Sequence, residues 1–203
     1  MSSFVESGRP SPLPNRVTPF GEIVADPARC GWMGNRGGRI HEGFRIARAQ
    51  ASRRWIICRL VWKDWRREVM AAGYTELFFH DEATALAAGH RPCFLCRREA
   101  ARAFAAAFGE ARADDIDARL AAERRGPKPV VTEADLAPGA MVAAGAAAFL
   151  WDGAAFRRWS FAGCGAAERP KGPLRLLTPP STLAALRAGY RPEDLPSPPR
   201  KET

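Results

Sequence analysis

Long apolar runs are missing from this chain. None reaches the ~18 consecutive residues a membrane-spanning helix needs, so no such span is expected. The opening residues, MSSFVESGRPSPLPNR, lack the apolar core of an export signal, and a cytoplasmic protein is expected. Without such a signal a disulfide framework is not expected either, and the five cysteines at 30, 58, 93, 96 and 164 turn attention to metal or redox chemistry. Lysine is scarce as well: Lys63, Lys128, Lys171 and Lys201 are the only four among 31 cationic residues. The excess over 22 acidic residues gives a formal charge of +9, carried almost entirely by arginine. A charge of that size favours an anionic partner, nucleic acid first, although an Arg-, Ala-, Gly- and Pro-heavy composition also follows from a GC-rich genome.

What is present reads as α+β: a single domain with short antiparallel strands, three to four short helices and a zinc knuckle. Residues 1–20 carry prolines at 10, 12, 14 and 19 and are expected to be extended or disordered. Residues 21–110 are expected to form a metal-binding region. Residues 111–192 are read as a helix followed by a strand-rich part packed onto the first region, and 193–203 as a disordered tail. RRWIICRLVWKDWRREV is read as one or two strands, with Ile56, Cys58, Leu60 and Trp62 on one face and Trp55, Ile57, Arg59 and Val61 on the other. Cys58 is thus expected to point inward among apolar groups. TELFF (75–79) is another strand, and Asp81 is placed to cap a helix that stops at Gly89. Helices follow over RREAARAFAAAF and DDIDARLAAERR. The stretch AMVAAGAAAFLWDGAAFRRWSF is read as two strands joined at Asp152-Gly153, LRLL as a further strand and TPPSTLAALRAGY as a helix.

One pattern occurs twice. Residues 85–92 read ALAAGHRP and residues 185–192 read ALRAGYRP. Each describes a helix, a glycine stop, an aromatic ring packing back and a proline that forbids continuation. Only the first copy is followed by Cys93-x-x-Cys96. This dithiol follows a helix stop and lies outside any βαβ pattern, unlike a thioredoxin-type redox pair, whereas two thiolates on a tight turn suit a tetrahedral zinc ion. Cys58 is the expected third ligand. For the fourth, His41, Cys30, His90 and Cys164 compete, with His41 in its glycine-rich loop preferred over Cys30.

FFHDEATALAAGHRPCFLCRR resembles part of the Ada-type zinc domain, the methylphosphotriester-repair module of the bacterial response to alkylation. Glu82, Ala83, Ala88, Gly89, Arg91, Pro92, Cys93 and Cys96 match its knuckle, and Cys58-Arg59 matches the start of its upstream element. The resemblance spans residues 55–98. It implies a zinc cofactor, Cys58 as a zinc thiolate that accepts a methyl group from DNA, and Arg91 near the DNA backbone. The pattern departs at Trp62, which stands where the second upstream cysteine falls. The chain also looks like a bacterial family with GNRG, TELFF, EATALAAGHRPC and LTPP blocks, a likeness that implies no activity.

Three functions follow as expectations. The first is a zinc protein that binds nucleic acid, DNA before RNA, through Arg91, Arg59, Arg97, Arg98, Arg53 and Arg54, with Trp55, Trp62 and Trp65 interleaved. The second is a metal-dependent hydrolase or nuclease using Asn35, Arg36, His41 and Glu42 of the GNRGGRIHEGF loop. The third is a structural zinc protein with a protein partner.

Overall fold

Residues that alternate between a core and an open face build the centre of the molecule. The computed structural model describes residues 9–195, apart from 66, 67, 72 and 111. Its first half forms β1 (Pro14–Val17), β2 (Ile23–Ala25), β3 (Trp32–Arg36), the small hairpin β4 (His41–Glu42) and β5 (Arg45–Ile46), β6 (Trp55–Cys58), β7 (Leu77–Phe79), helix α1 (Glu82–Ala87) and β8 (Arg91–Pro92). Six of these strands make one sheet in the order β2-β1-β7-β3-β6-β8. The β1–β7 and β6–β8 pairs are parallel and the others antiparallel.

On β3, β6 and β7 one set of side chains, Trp32, Ile57, Leu77 and Phe79, enters the hydrophobic core. The alternate set, including Met33, Asn35, Ile56, Cys58, Glu76 and Phe78, lines a cavity on the other face. Both sets follow from the two-residue period of a strand. Gly34 is required at the centre of this sheet, because a Cβ there would fall 2.2 Å from the Ile56 carbonyl oxygen and 2.8 Å from the Phe79 ring.

The second half continues with α2 (Arg98–Phe108), α3 (Ala113–Arg125), β9 (Val130–Val131), β10 (Met141–Ala144), β11 (Ala147–Trp151), β12 (Phe156–Ser160), β13 (Gly163–Ala166), β14 (Leu174–Leu176) and α4 (Pro180–Arg187). Its strands form an antiparallel sheet in the order β13-β12-β11-β10-β14-β9. Helix α1 packs against both β7 and β10, while α2, α3 and α4 pack on one another. Leu77 and Phe79, Phe104 and Leu120, and Val142 and Leu176 belong to one continuous core. The chain is a single α+β domain, and no helix of the described residues is long and apolar enough to cross a membrane.

The repeated helix stop is a repeated structure. Asp81 caps α1 by accepting a hydrogen bond from the Thr84 amide at 2.6 Å. At the other end the His90 amide donates to Ala85 O and the Gly89 amide to Leu86 O, with Gly89 at φ +86°. Tyr190 and Gly189 make the same two bonds to Ala185 and Leu186 after α4, with Gly189 at φ +107°. These are the paired bonds of a Schellman cap, for which a left-handed glycine is suited.

Four boundaries differ from the sequence reading. The strand over RRWIICRLVWKDWRREV is confined to Trp55–Cys58, since Leu60 and Val61 turn outward and leave the sheet. AMVAAGAAAFLW is a hairpin, turning at Gly145 with φ +60°, so the strands before Asp152-Gly153 are two rather than one. Within the proline-rich start, Pro14–Val17 is a paired strand, and residues 1–8 lie outside the described residues. Residues 193–195, assigned to a disordered tail, are docked on the first half as described below, and 196–203 lie outside the described residues.

Candidate metal centre and its cleft

Parallel pairing of β6 with β8 brings the first two cysteines together. The register aligns Ile56 with Arg91 and Ile57 with Pro92, so Cys58 and Cys93 come next on adjacent strands. The Cys93 amide donates to Ile57 O at 2.9 Å and secures that register. A turn then brings Cys96 back, closed by the Arg97 amide donating to Cys93 O at 3.0 Å. The three Sγ atoms lie within 4.8 Å of one another.

Backbone amides point at the sulfurs. The Leu95 amide donates to Cys93 Sγ at 3.4 Å, the Cys96 amide also donates to Cys93, and the Arg59 amide to Cys96. Such bonds favour thiolate over thiol. Hydrogen bonds from Cys58 and then Cys96 draw Cys93 down to about 2, against the opposing effect of burial. Cys58 is pushed far up by its hydrogen bonds to Cys93 and Cys96 and by burial. Cys96 is lowered by Cys58, but its bond to Cys93 and burial outweigh this and raise it. Hydrogen bonding among the sulfurs thus favours a thiolate at Cys93 over one at Cys58 or Cys96. Three close sulfurs, supported by backbone amides, are a donor set that fits a thiophilic ion such as zinc.

Among the described residues, no fourth His, Cys, Asp or Glu atom joins the three. His41, preferred from sequence, is a correction. It is buried, its Nε2 donates to Ala71 O at 3.2 Å, and its Nδ1 lies 2.5 Å from Thr75 Oγ1. Ala71 O can only accept, so Nε2 carries the proton and Nδ1 takes the Thr75 hydroxyl, which leaves no lone pair for a metal. The same enclosure removes His41 from the open catalytic loop expected with Glu42, Asn35 and Arg36. Arg36 is itself buried, stacked 3.9 Å over the Trp55 ring, with burial and the charge of Arg124 lowering it to about 9. The other three candidates also lie apart from the trio. His90 is buried between Trp55 and Phe79, where burial and then the charges of Arg36 and Arg124 hold it neutral. Cys164 faces Asp81 Oδ2 at 3.7 Å, and Cys30 approaches Ala28 O at 4.0 Å.

The trio lines one part of a cleft of about 300 Å³. Its floor is the outer face of the first sheet, with Asn35, Ile56, Glu76 and Phe78, and its walls include Leu60, Trp62, Trp65, Tyr74 and Leu95. Ile56 and Cys58 share a strand face, as their spacing predicts, but that face looks into the cleft instead of the core; Leu60 and Trp62, beyond the end of β6, line the same cleft from the segment that follows. Trp62 meets Trp65 edge-on at 5.1 Å between ring centroids. A second hollow of about 620 Å³ adjoins the first across Asn35, Ile56, Cys93 and Leu95, with Arg54, Arg91 and Arg112 on its lining.

The six arginines expected to grip nucleic acid divide into three groups. Arg91 and Arg97 are buried: Arg91 forms a two-pronged pair with Asp117 at 2.9 and 2.7 Å, and Arg97 does the same with Glu82 at 2.9 and 2.7 Å. These two are corrections, because a guanidinium enclosed with its carboxylate offers no face to a phosphate. Arg54 pairs with Asp114 and Arg59 with Glu193 at the surface. Arg53 and Arg98 are exposed and make no ion pair among the described residues.

Sequence reasoning missed two groups. Glu76 sits on the cleft floor, and its place is legible in the alternation of Glu76 and Phe78 against Leu77 and Phe79. The other group is the segment after the second helix stop. Glu82 gathers Arg97, the Tyr190 hydroxyl at 2.5 Å and the Glu193 amide at 3.0 Å, while Asp194 accepts from Trp32 Nε1 at 2.6 Å and the Glu82 amide at 3.1 Å. The C-terminal segment is thereby tied to the residues that flank the sulfurs. No protein-family model, curated protein or solved structure matches the chain.

Proposed function

We propose that this is a zinc protein whose three-sulfur centre stays open toward the cleft and works on, or binds, a ligand that enters there. The observation that carries this reading is the trio of Cys58, Cys93 and Cys96 lining a cavity in which no fourth protein ligand joins them among the described residues. Structural zinc sites close their coordination with four protein ligands, whereas sites that act on ligands keep a position free. Bound zinc supplies Lewis acidity at that position and activated thiolates beside it. The chain's own part is to set the sulfurs, through the β6–β8 register and the amides of Leu95, Cys96 and Arg59, and to exclude water with Ile56, Leu60 and the two tryptophans. Replacing the metal with cobalt(II) tests the open position. Added imidazole is expected to shift the visible cobalt bands; bands that ignore imidazole mean a closed site and defeat the reading.

A second reading follows from Cys58 itself lining the cleft. A zinc-bound Cys58 thiolate there would be open to an alkyl group, as the Ada-type resemblance implies, and exposed Arg53 and Arg98, which make no ion pair among the described residues, together with the charge of +9 support a nucleic-acid substrate. Incubation with DNA carrying methylphosphotriesters would add one methyl mass to the Cys58 peptide, and DNA affinity would fall steeply with salt. An unmodified Cys58 and salt-insensitive binding exclude it.

A further inference from the structure

Three arginines are buried among the described residues: Arg36, Arg91 and Arg97. Arg91 holds the carboxylate of Asp117 and Arg97 that of Glu82. Arg36 is only 3% exposed, yet among the described residues it pairs with no carboxylate. It donates to Gly21 O at 2.7 Å and to Ala49 O at 3.4 Å, and its enclosed Nε has no hydrogen-bond partner. A second guanidinium stands beside it. The guanidinium carbons of Arg36 and Arg124 lie 3.9 and 4.1 Å from the centre of one ring, that of Trp55. Arg124 likewise donates to neutral carbonyls, Gly89 O at 2.8 Å and Arg53 O at 3.1 Å. Burial lowers Arg124 to about 10 against the charge of Asp117, a carboxylate that Arg91 already engages at both oxygens.

Two enclosed cations without an anion are costly, and the cost falls when a negative group comes to them. The Trp55 ring attracts both, but one shared ring is a weaker partner than a carboxylate for each. His90 against the same ring supplies no counter-charge, because an imidazole is neutral or positive. The four carbonyls orient the guanidiniums without neutralising them, and N–H groups are left over for a further acceptor, the Arg36 Nε–H first. Arg53, whose carbonyl receives Arg124, and Arg125, next along α3, are exposed and make no ion pair among the described residues. Positive charge thus runs from the surface inward to Arg36.

We propose that Arg36 and Arg124 form a binding site for a tetrahedral oxyanion of the phosphate type, with Arg53 and Arg125 at its entrance. Both guanidiniums flank one indole, so separate oxygens of a single phosphate can meet the two. Planar guanidinium groups suit such an ion, because their paired N–H groups match the spacing of its oxygens. The site lies at the opposite end of β6 from Cys58, and the alternation of the strand turns Trp55 to the other face of the sheet. It therefore stands independently of the zinc centre. A free phosphate and a phosphate carried by a nucleic acid share the chemistry that the two arginines recognise.

Inorganic phosphate and chloride at equal ionic strength separate a bound oxyanion from general screening. Each is titrated into the purified full chain and followed by thermal unfolding and calorimetry, with zinc content measured on the same samples. Phosphate is expected to raise the unfolding temperature where chloride does not, because a ligand of the folded state alone stabilises it. Arg124→Gln is expected to weaken phosphate roughly tenfold or more, the scale of one charge-assisted contact, with zinc content unchanged. Arg175→Gln, exposed on β14, is the control expected to leave phosphate binding as it was. Equal effects of the two salts overturn the proposal and leave the zinc reading standing. A phosphate effect that survives Arg124→Gln also overturns it, since the ion then sits elsewhere, the zinc centre included. Should Arg124→Gln not fold, Arg36→Lys decides, because it keeps the charge and loses the planar edge: phosphate binding that is not weakened there overturns the site. A short single-stranded DNA with a 5′-phosphate that displaces inorganic phosphate identifies nucleic acid as the source, and one that fails to displace it identifies a free oxyanion; either result upholds the site.

Discussion

Glu193 holds Arg97 through Oε1 at 2.7 Å, and Arg97 is the residue that follows Cys96. The other oxygen of the same carboxylate meets Arg59 at 2.8 Å, and Arg59 follows Cys58. One acidic side chain from the far end of the chain therefore clamps the backbone behind two of the three sulfurs. Burial raises Glu193, and the hydrogen bond and charge of Arg97, followed by the charge of Arg59, bring it below its ordinary value.

This clamp predicts an effect on metal retention. Glu193→Ala is expected to fold but to lose zinc about tenfold faster to a chelator, the lower end of what outer partners of metal ligands contribute. Zinc release at an unchanged rate would mean that the clamp is incidental to the centre.

The Arg97–Glu82 pair is fully buried on both sides. Removing one partner strands the other, at a cost of about 3–5 kcal/mol, so Arg97→Ala is expected to lower urea stability by that order. Replacing both by apolar residues is expected to cost less than either single change. A loss under about 1 kcal/mol for Arg97→Ala would show that the pair is hydrated in solution, as exposed pairs are.

Zinc uptake is expected to expel protons. With Cys93 drawn down and Cys58 and Cys96 raised, the metal-free centre favours a thiolate at Cys93 over one at Cys58 or Cys96. Ligation needs all three deprotonated, so about two protons should leave per zinc ion, and affinity should fall as pH falls. Calorimetry in buffers of different ionisation enthalpy measures that number. A value near zero would contradict the charge distribution described for the three sulfurs.

Gly34 and Gly145 provide a matched pair of alanine substitutions. A Cβ at Gly34 collides with the neighbouring strand, whereas at Gly145 it meets nothing within 4 Å and only the φ of +60° is unfavourable. Gly34→Ala is expected to cost at least the roughly 1–3 kcal/mol of an overpacked core and to loosen zinc, because β3 must move away from β6. Gly145→Ala is expected to cost about 1 kcal/mol and leave zinc in place. Equal losses in thermal unfolding would contradict the close packing of these two strands.

Much of this was legible from spacing. The Cys-x-x-Cys turn, the Asp81 cap, both helix stops and the shared face of Ile56 and Cys58 all follow from local chemistry. Which side of the sheet that group faces was not legible, because both faces of WIIC and LFF carry apolar residues and alternation alone does not rank them. The place of His41 escaped for another reason. Its partner Thr75 lies far along the chain, and a histidine enclosed by a hydroxyl and a carbonyl has the same sequence signature as a metal ligand. His41→Ala is accordingly expected to keep its zinc while losing about 1–3 kcal/mol of stability, since Thr75 is left short of a partner. The proline-rich end concealed the clamp, because Glu193 and Asp194 gain their meaning only from arginine, tryptophan and amide groups brought to them by the fold.

X-ray absorption at the zinc edge of the purified full chain tests the central claim most directly. Three sulfurs at about 2.3 Å and one lighter atom are predicted for a centre made by Cys58, Cys93 and Cys96 with an open fourth place. Four sulfurs, or a protein that carries no zinc when Cys58, Cys93 and Cys96 are all intact, would contradict it.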